Sequence, residues 1–141
     1  MHAAGLQPLD PLPGDWTAAS GYAAGRVLAQ DPDATAVFVG NDHMAIGVLR
    51  ALCEAGRAVP GDFSVVGFDD IPESGYLIPP LTTVRQDFAA VGRLAIDTLQ
   101  VAMRPETQDT GDHGVSSRRG RLLEPELVPR ASTAPAPDGK A

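Results

Sequence analysis

Thr35-Ala36-Val37-Phe38-Val39-Gly40-Asn41-Asp42, and after twenty intervening residues Phe63-Ser64-Val65-Val66-Gly67-Phe68-Asp69-Asp70, decide the fold of this chain. Each is a short apolar run rich in β-formers that breaks into small polar residues, the pattern of a strand buried on both faces. Between them Met44, Val48, Leu49, Leu52 and Cys53 recur at helical spacing. Asp42 is placed to cap that helix and Gly56 to stop it. Strand, helix, strand is a βαβ unit, whose two strands run parallel and whose crossover is right-handed.

Working outward, residues 6–14 hold four prolines and glycines and read as a connector. Asp15 or Thr17 can cap a helix that runs to about Gln30, with Tyr22, Val27 and Leu28 among its apolar contacts; Asp31-Pro32-Asp33 ends it. Downstream, residues 71–80 are turn-rich and residues 81–85 form a third strand. Phe88, Val91, Leu94, Ala95, Thr98 and Ala102 then mark an amphipathic helix over 87–103. Residues 105–121 are polar and without periodicity, a mobile loop on this reading. Residues 122–128 make a last strand, at a sheet edge because Pro125 cannot donate to a ladder. The tail from Ser132 is expected to be disordered.

The chain has 141 residues, 43% of them hydrophobic, enough for one modest domain with a core. A formal net charge of −7 has the wrong sign for a free-standing nucleic-acid binder, which needs a basic patch or stripe. No apolar run approaches the ~18 residues of a membrane span. The first residues lack the basic start and apolar stretch of a secretory signal. One cysteine, Cys53, forms no internal disulfide and suits a reducing compartment. These features point to a cytoplasmic protein.

Ligands of open parallel α/β sheets bind outside the carboxyl ends of the strands. That rule selects Gly40-Asn41-Asp42 and Asp69-Asp70. Asn offers a donor and an acceptor and Asp two acceptors, which suits a polyhydroxylated ligand. Asp42 reads as a helix cap. Asn41 and Asp69 stand open between ligand contacts and local turn chemistry. Trp16, the only tryptophan, could stack on a sugar ring or anchor the connector. Asp69-Asp70 could attract Mg²⁺, but neither further acidic ligands nor a glycine-rich phosphate loop accompanies them. His2, His43 and His113 show no metal-ligand spacing with each other or with Cys53, which lies on the apolar stripe of its helix and reads as a core filler. Ser20 and Ser64 lack the nucleophile elbow of hydrolases. The reading is of a binding module, with no catalytic constellation, metal site or cofactor.

Several motifs in order resemble the effector-binding core of LacI/GalR-type transcription regulators. They are Gly14-Asp15-Trp16-Thr17, the stretch Val39-Gly40-Asn41-Asp42-His43-Met44-Ala45-Ile46-Gly47, and Asp62 through Asp70. Pro79-Pro80-Leu81-Thr82-Thr83-Val84-Arg85-Gln86-Asp87-Phe88 continues the match, as do residues 122–133. The resemblance implies an α/β fold like that of periplasmic sugar-binding proteins, in which two lobes close on a ligand. It assigns 1–131 to the C-terminal part of such a domain, with 1–86 mostly in one parallel-sheet lobe. Residues 87–131 then carry a crossover helix, a loop and a last strand belonging to the second lobe, and 132–141 a disordered tail. By resemblance Trp16 is the sugar-stacking residue, Asn41 and Asp69 bind hydroxyls, and Gln86 and Phe88 line the pocket. The implied effector is a galactoside or another hexose-like sugar. The implied partners are a second copy, docked through the outer face of the 44–54 helix and residues 71–77, and operator DNA through a helix-turn-helix headpiece that this chain lacks. Regulators of this kind are longer, so the chain reads as N-terminally truncated and its lobe as incomplete, prone to self-association through open edges and apolar faces. The alternative is a solute-binding protein of a sugar transporter, which shares the fold.

Overall fold

A computed structural model of the chain describes residues 8–103 and 122–136. The expectations for residues 1–7, including His2, for the 105–121 loop with His113, and for the last five residues lie outside that range. The chain divides into two compact units, residues 1–85 together with 126–141, and residues 86–125.

The first unit is the βαβ arrangement with one more helix and two more strands. Helix α1 covers Ala18–Gln30 and strand β1 Ala36–Phe38. Helix α2 covers Asp42–Glu54 and strand β2 Ser64–Asp69. After a helical turn at Pro72–Tyr76 come β3, Thr82–Arg85, and finally β4, Glu126–Val128. The sheet order is β1-β2-β3-β4. The first three strands are parallel, and β4 lies antiparallel on β3 with Arg85 opposite Glu126. Strand β4 therefore sits at an edge but within the first unit, not with the 87–131 segment to which the sequence assigned it. Pro125 immediately precedes it, where a missing N–H costs the ladder nothing.

Alternation puts Val37, Val39 and Val65 on the face that α2 covers, where they meet Ala45, Val48, Leu49, Leu52, Phe63 and Leu81. Full burial of such a side chain contributes about 1.5–3 kcal/mol, and Leu52, Phe63, Val65 and Leu81 are all completely buried. Helices α1 and α2 touch backbone to backbone. A Cβ on Gly21 would lie 2.0 Å from the Met44 carbonyl oxygen, and one on Gly47 2.0 Å from that of Ala18. Gly25 completes the seam against Val48 and Ala51. Arg57 ties the far ends together, donating to the carbonyls of Ala29, Asp31 and Ala34 while its guanidinium lies 5.5 Å from the centre of the Phe63 ring.

Three expectations need correction here. Cys53 is exposed rather than a core filler. Leu52 takes the inward position, and the next residue of a helix turns about 100° away from it. Asp42 is not the cap of α2. Asn41 is, its side chain accepting from the Met44 amide at 2.8 Å. Disorder does not begin at Ser132, which is fully buried. Its hydroxyl donates to the Val65 carbonyl at 2.6 Å and accepts from the Thr82 amide at 2.8 Å, and its own carbonyl accepts from the Val65 amide. Ser132 thus fills the gap where β2 and β3 begin.

The second unit contains helix α3, Phe88–Ala102, capped by Asp87, whose carboxylate accepts from the Ala90 amide at 2.8 Å. None of its residues is buried, and Phe88, Val91, Ile96 and Leu99 are exposed.

Candidate functional site

Parallel strands bring their carboxyl ends to one edge of the sheet. Phe38 of β1 pairs with Val66 of β2, and three residues beyond each come Asn41 and Asp69. The two therefore leave neighbouring strands at the same level. The loop before α1 is attached at the same place, because the Asn41 side-chain amide donates to the Trp16 carbonyl at 3.1 Å. Of the residues singled out from sequence, Asn41 and Asp69 thus leave neighbouring strands at one edge, and the Trp16 backbone is tied to Asn41. Gln86 and Phe88 belong to the second unit, where the Phe88 amide donates to the Gln86 carbonyl at 3.1 Å and the Phe88 ring is exposed.

The backbone there is strained. Among the described residues the non-glycine positions with positive φ are Trp16 at 71°, Asp69 at 109° and Asp70 at 56°. Each such residue costs on the order of 1–3 kcal/mol and persists only where its surroundings hold it, a condition that concentrates at binding sites. Trp16 is 68% exposed, so it does not anchor the connector; its ring is presented outward. Asn41 is only 6% exposed, and capping α2 while holding Trp16 occupies one acceptor and one N–H of its amide. One N–H and one lone pair remain.

The loop carrying Trp16 has its own internal support. Asp15 accepts from the Thr17 hydroxyl at 2.6 Å and the Thr17 amide at 3.1 Å, while the Asp15 amide donates to the Ser20 hydroxyl. The hydrogen bond from the Thr17 side chain, with the Ser20 hydroxyl and the Thr17 amide next, holds the Asp15 carboxyl down to about 2.

Asp42, beside Asn41, is the residue that sequence reasoning undervalued. It is completely buried and accepts from the Ser74 hydroxyl at 2.5 Å, the Thr83 hydroxyl at 2.6 Å and the Ile71 amide at 3.1 Å. It thereby ties the start of α2 to β3 and to the turn after β2. Gly67 makes room for it, since a Cβ there would fall 2.1 Å from its Oδ1. Asp70 is occupied as well. Arg85 donates to one of its oxygens at 2.7 Å and Arg130 to the other at 2.6 Å. Burial opposes its ionisation, but hydrogen bonds from Arg130 and Arg85, with their charges, outweigh it and hold the carboxyl below its ordinary value. A carboxylate so neutralised is a poor Mg²⁺ ligand, and the described residues contain no cluster of three metal-ligating side chains. Both aspartates were visible in the sequence, but their partners lie 15 to 60 residues away. Nothing local in the sequence marks such pairings.

Residues 1–133 match the family model of the periplasmic binding protein-like domain. The chain belongs to that family. Its relatives within the family include LacI-type repressors. The lactose operon repressor of Escherichia coli (strain K12) is 38% identical over 129 residues, which are 91% of this chain and 33% of the repressor. Among solved structures, a dimeric lac repressor with an 11-residue C-terminal deletion superposes with a TM-score of 0.78 at 37% identity, covering 97% of this chain and 47% of that one. A LacI family transcriptional regulator from Arthrobacter sp. FB24 in complex with lactose gives a TM-score of 0.66 at 35% identity, covering 85% and 43%. The periplasmic binding protein-like chain thus spans about a third of the length of the curated repressor it matches. No described helix is long and apolar enough to cross a membrane.

Proposed function

We propose that this chain is the effector-binding part of a LacI-type transcription regulator and that its effector is a sugar. The observation that carries the reading is the placement of Asn41 and Asp69 at the carboxyl edge of the parallel sheet, with the Trp16 backbone tied to Asn41. Asp69 accepts from sugar hydroxyls, the remaining amide N–H of Asn41 donates, and the outward Trp16 ring stacks on the apolar face of the sugar. The lactose complex of the Arthrobacter regulator supports the ligand class. Effector binding shifts a conformational equilibrium in this scheme, and catalysis has no part in it.

Isothermal titration with lactose and with ribose, on the protein expressed from its complete reading frame, tests the site. Asp69→Asn and Trp16→Ala should each weaken binding by about 1–3 kcal/mol, the penalty of an unpaired or unstacked group. If neither change weakens binding, the site assignment is wrong. The DNA upstream of Met1 separates regulator from transporter component: a helix-turn-helix frame supports the first, a secretory signal the second.

A second copy of the protein is the proposed partner. Support comes from a shallow groove lined by Leu49, Cys53, Arg57, Val59, Ile78 and Pro79, and from the Tyr76 and Ile78 side chains, which are almost fully exposed. The dimeric lac repressor structure favours the same reading. Sedimentation of Tyr76→Asp and Ile78→Asp variants should show dissociation relative to the parent. A monomeric parent at micromolar concentration would end the proposal.

A further inference from the structure

We infer that Asp70 is a positioning residue for Asp69, clamped by two arginines so that the left-handed end of β2 keeps presenting the Asp69 carboxylate. The inference rests on the reading of Asp69 as an effector contact. Asp69 and Asp70 both have positive φ, at 109° and 56°, without being glycine. Left alone, such a pair relaxes towards the ordinary negative-φ regions, and relaxation would swing the Asp69 side chain away from the level of Asn41. What opposes this is visible at Asp70. Its side chain is 8% exposed and is bound at both oxygens, by Arg85 at 2.7 Å and Arg130 at 2.6 Å.

The two arms of the clamp come from the end of β3 and from the segment that follows β4. Arg85 is the last residue of β3 and the ladder partner of Asp69 itself, and it also reaches Glu126 of β4. Arg130 follows β4 and is fixed independently: its second guanidinium nitrogen donates to the Leu81 carbonyl at 2.7 Å and its amide to the Thr82 hydroxyl at 2.9 Å. The strained turn is thus held from outside, by charge-assisted bonds that are roughly twice as strong as neutral ones. Asp70 stays ionised because the arginines outweigh its burial.

The test needs no effector, so its failure and the failure of the sugar reading are separate events. In the isotope-labelled full chain, the HN–Hα, HN–C′ and HN–Cβ three-bond couplings of residues 69 and 70, read together, fix φ including its sign. The variants are Arg85→Gln, Arg130→Gln and the pair, with Arg85→Lys as the conservative control and thermal melting measured alongside. The expected result is a shift of the 69–70 couplings towards negative-φ values, with amide exchange at those residues faster on the order of tenfold. Signals of β1 and α2 should stay in place, and Arg85→Lys should retain more of the parent signature than Arg85→Gln. Where the pair fails to fold, Arg85→Gln alone decides, because its side chain is half exposed and its removal leaves Arg130 on Asp70. Unchanged couplings in Arg85→Gln overturn the proposal. So does a melting-point drop with the 69–70 signature intact, which would mean that the arginines stabilise the fold without positioning the turn.

Discussion

Replacing Asp42 with alanine removes the acceptor of three hydrogen bonds at once. The Ser74 and Thr83 hydroxyls, at 2.5 and 2.6 Å, and the Ile71 amide, at 3.1 Å, all point at its carboxylate. Ser74 and Thr83 are fully buried, so water does not replace the lost partner, whereas Ile71 is only half-buried. A buried donor left unsatisfied costs about 1–3 kcal/mol, and a hydrogen bond to a charged group contributes about 1.5–3 kcal/mol. Relief from burying a carboxylate offsets part of this, and the three losses share one site and do not add. The expected net loss is about 3–5 kcal/mol, a large share of the ~5–15 kcal/mol that holds a domain of this size. Asp42→Asn keeps one acceptor oxygen and turns an N–H₂ towards a hydroxyl that can accept, so it should lose only about 1–2 kcal/mol. Urea unfolding followed by far-UV circular dichroism measures both. A loss below about 1 kcal/mol for the alanine variant, or a larger loss for asparagine than for alanine, would refute the view of Asp42 as the tie between α2, β3 and the Pro72–Tyr76 turn.

Gly47→Ala should destabilise the chain by about 1–3 kcal/mol through overpacking, although alanine is the better helix former by about 1 kcal/mol. Its new methyl would meet the Ala18 carbonyl oxygen at 2.0 Å, and an unchanged or raised urea midpoint would show that the helices part without penalty. The Asp15 carboxyl, held by Thr17 and Ser20, titrates at about 2 instead of 3.8. Since the folded value is the lower one, its contribution is present above 3.8 and is lost as pH falls through about 2. The stability gap between parent and Asp15→Asn should therefore narrow across that window, and a carboxyl resonance that titrates at or above 3.8 would refute the cap geometry. The α3 helix supplies a third outcome. With no residue buried and Phe88, Val91, Ile96 and Leu99 exposed, the chain by itself should self-associate in sedimentation velocity. A monodisperse monomer with a sharp melt would contradict this.

Most elements were legible because local periodicity and punctuation specify them. The apolar runs 35–39 and 63–68 do carry strands, the helical spacing from Met44 carries α2 and Gly56 (φ 72°) follows its end, but β1 is exposed on one face rather than buried on both, and the stripe stops at Leu52 short of Cys53. The helix read over 87–103 is α3, Phe88–Ala102. The candidate site was legible at the level of the strand-end rule, which names Asn41 and Asp69 without knowing their partners. What misled was chemistry with two local readings. Asn41 and Asp42 are both able to cap, and only the fold shows which side chain turns back to Met44 and which turns inward to Thr83.

Sequence by itself determined that this is a parallel α/β chain with small polar residues at two strand ends, since hydrophobic period and turn residues act within a few positions of each other. Tertiary structure alone decided the rest. It buried Asp42 among Ser74, Thr83 and Ile71, drove Ser132 between β2 and β3, clamped Asp70 between Arg85 and Arg130, and pressed Gly21 and Gly47 into a helix seam. The physical reason is range. Those contacts join residues 15 or more positions apart, and a carboxylate or serine carries no local mark of the partner that burial will bring to it.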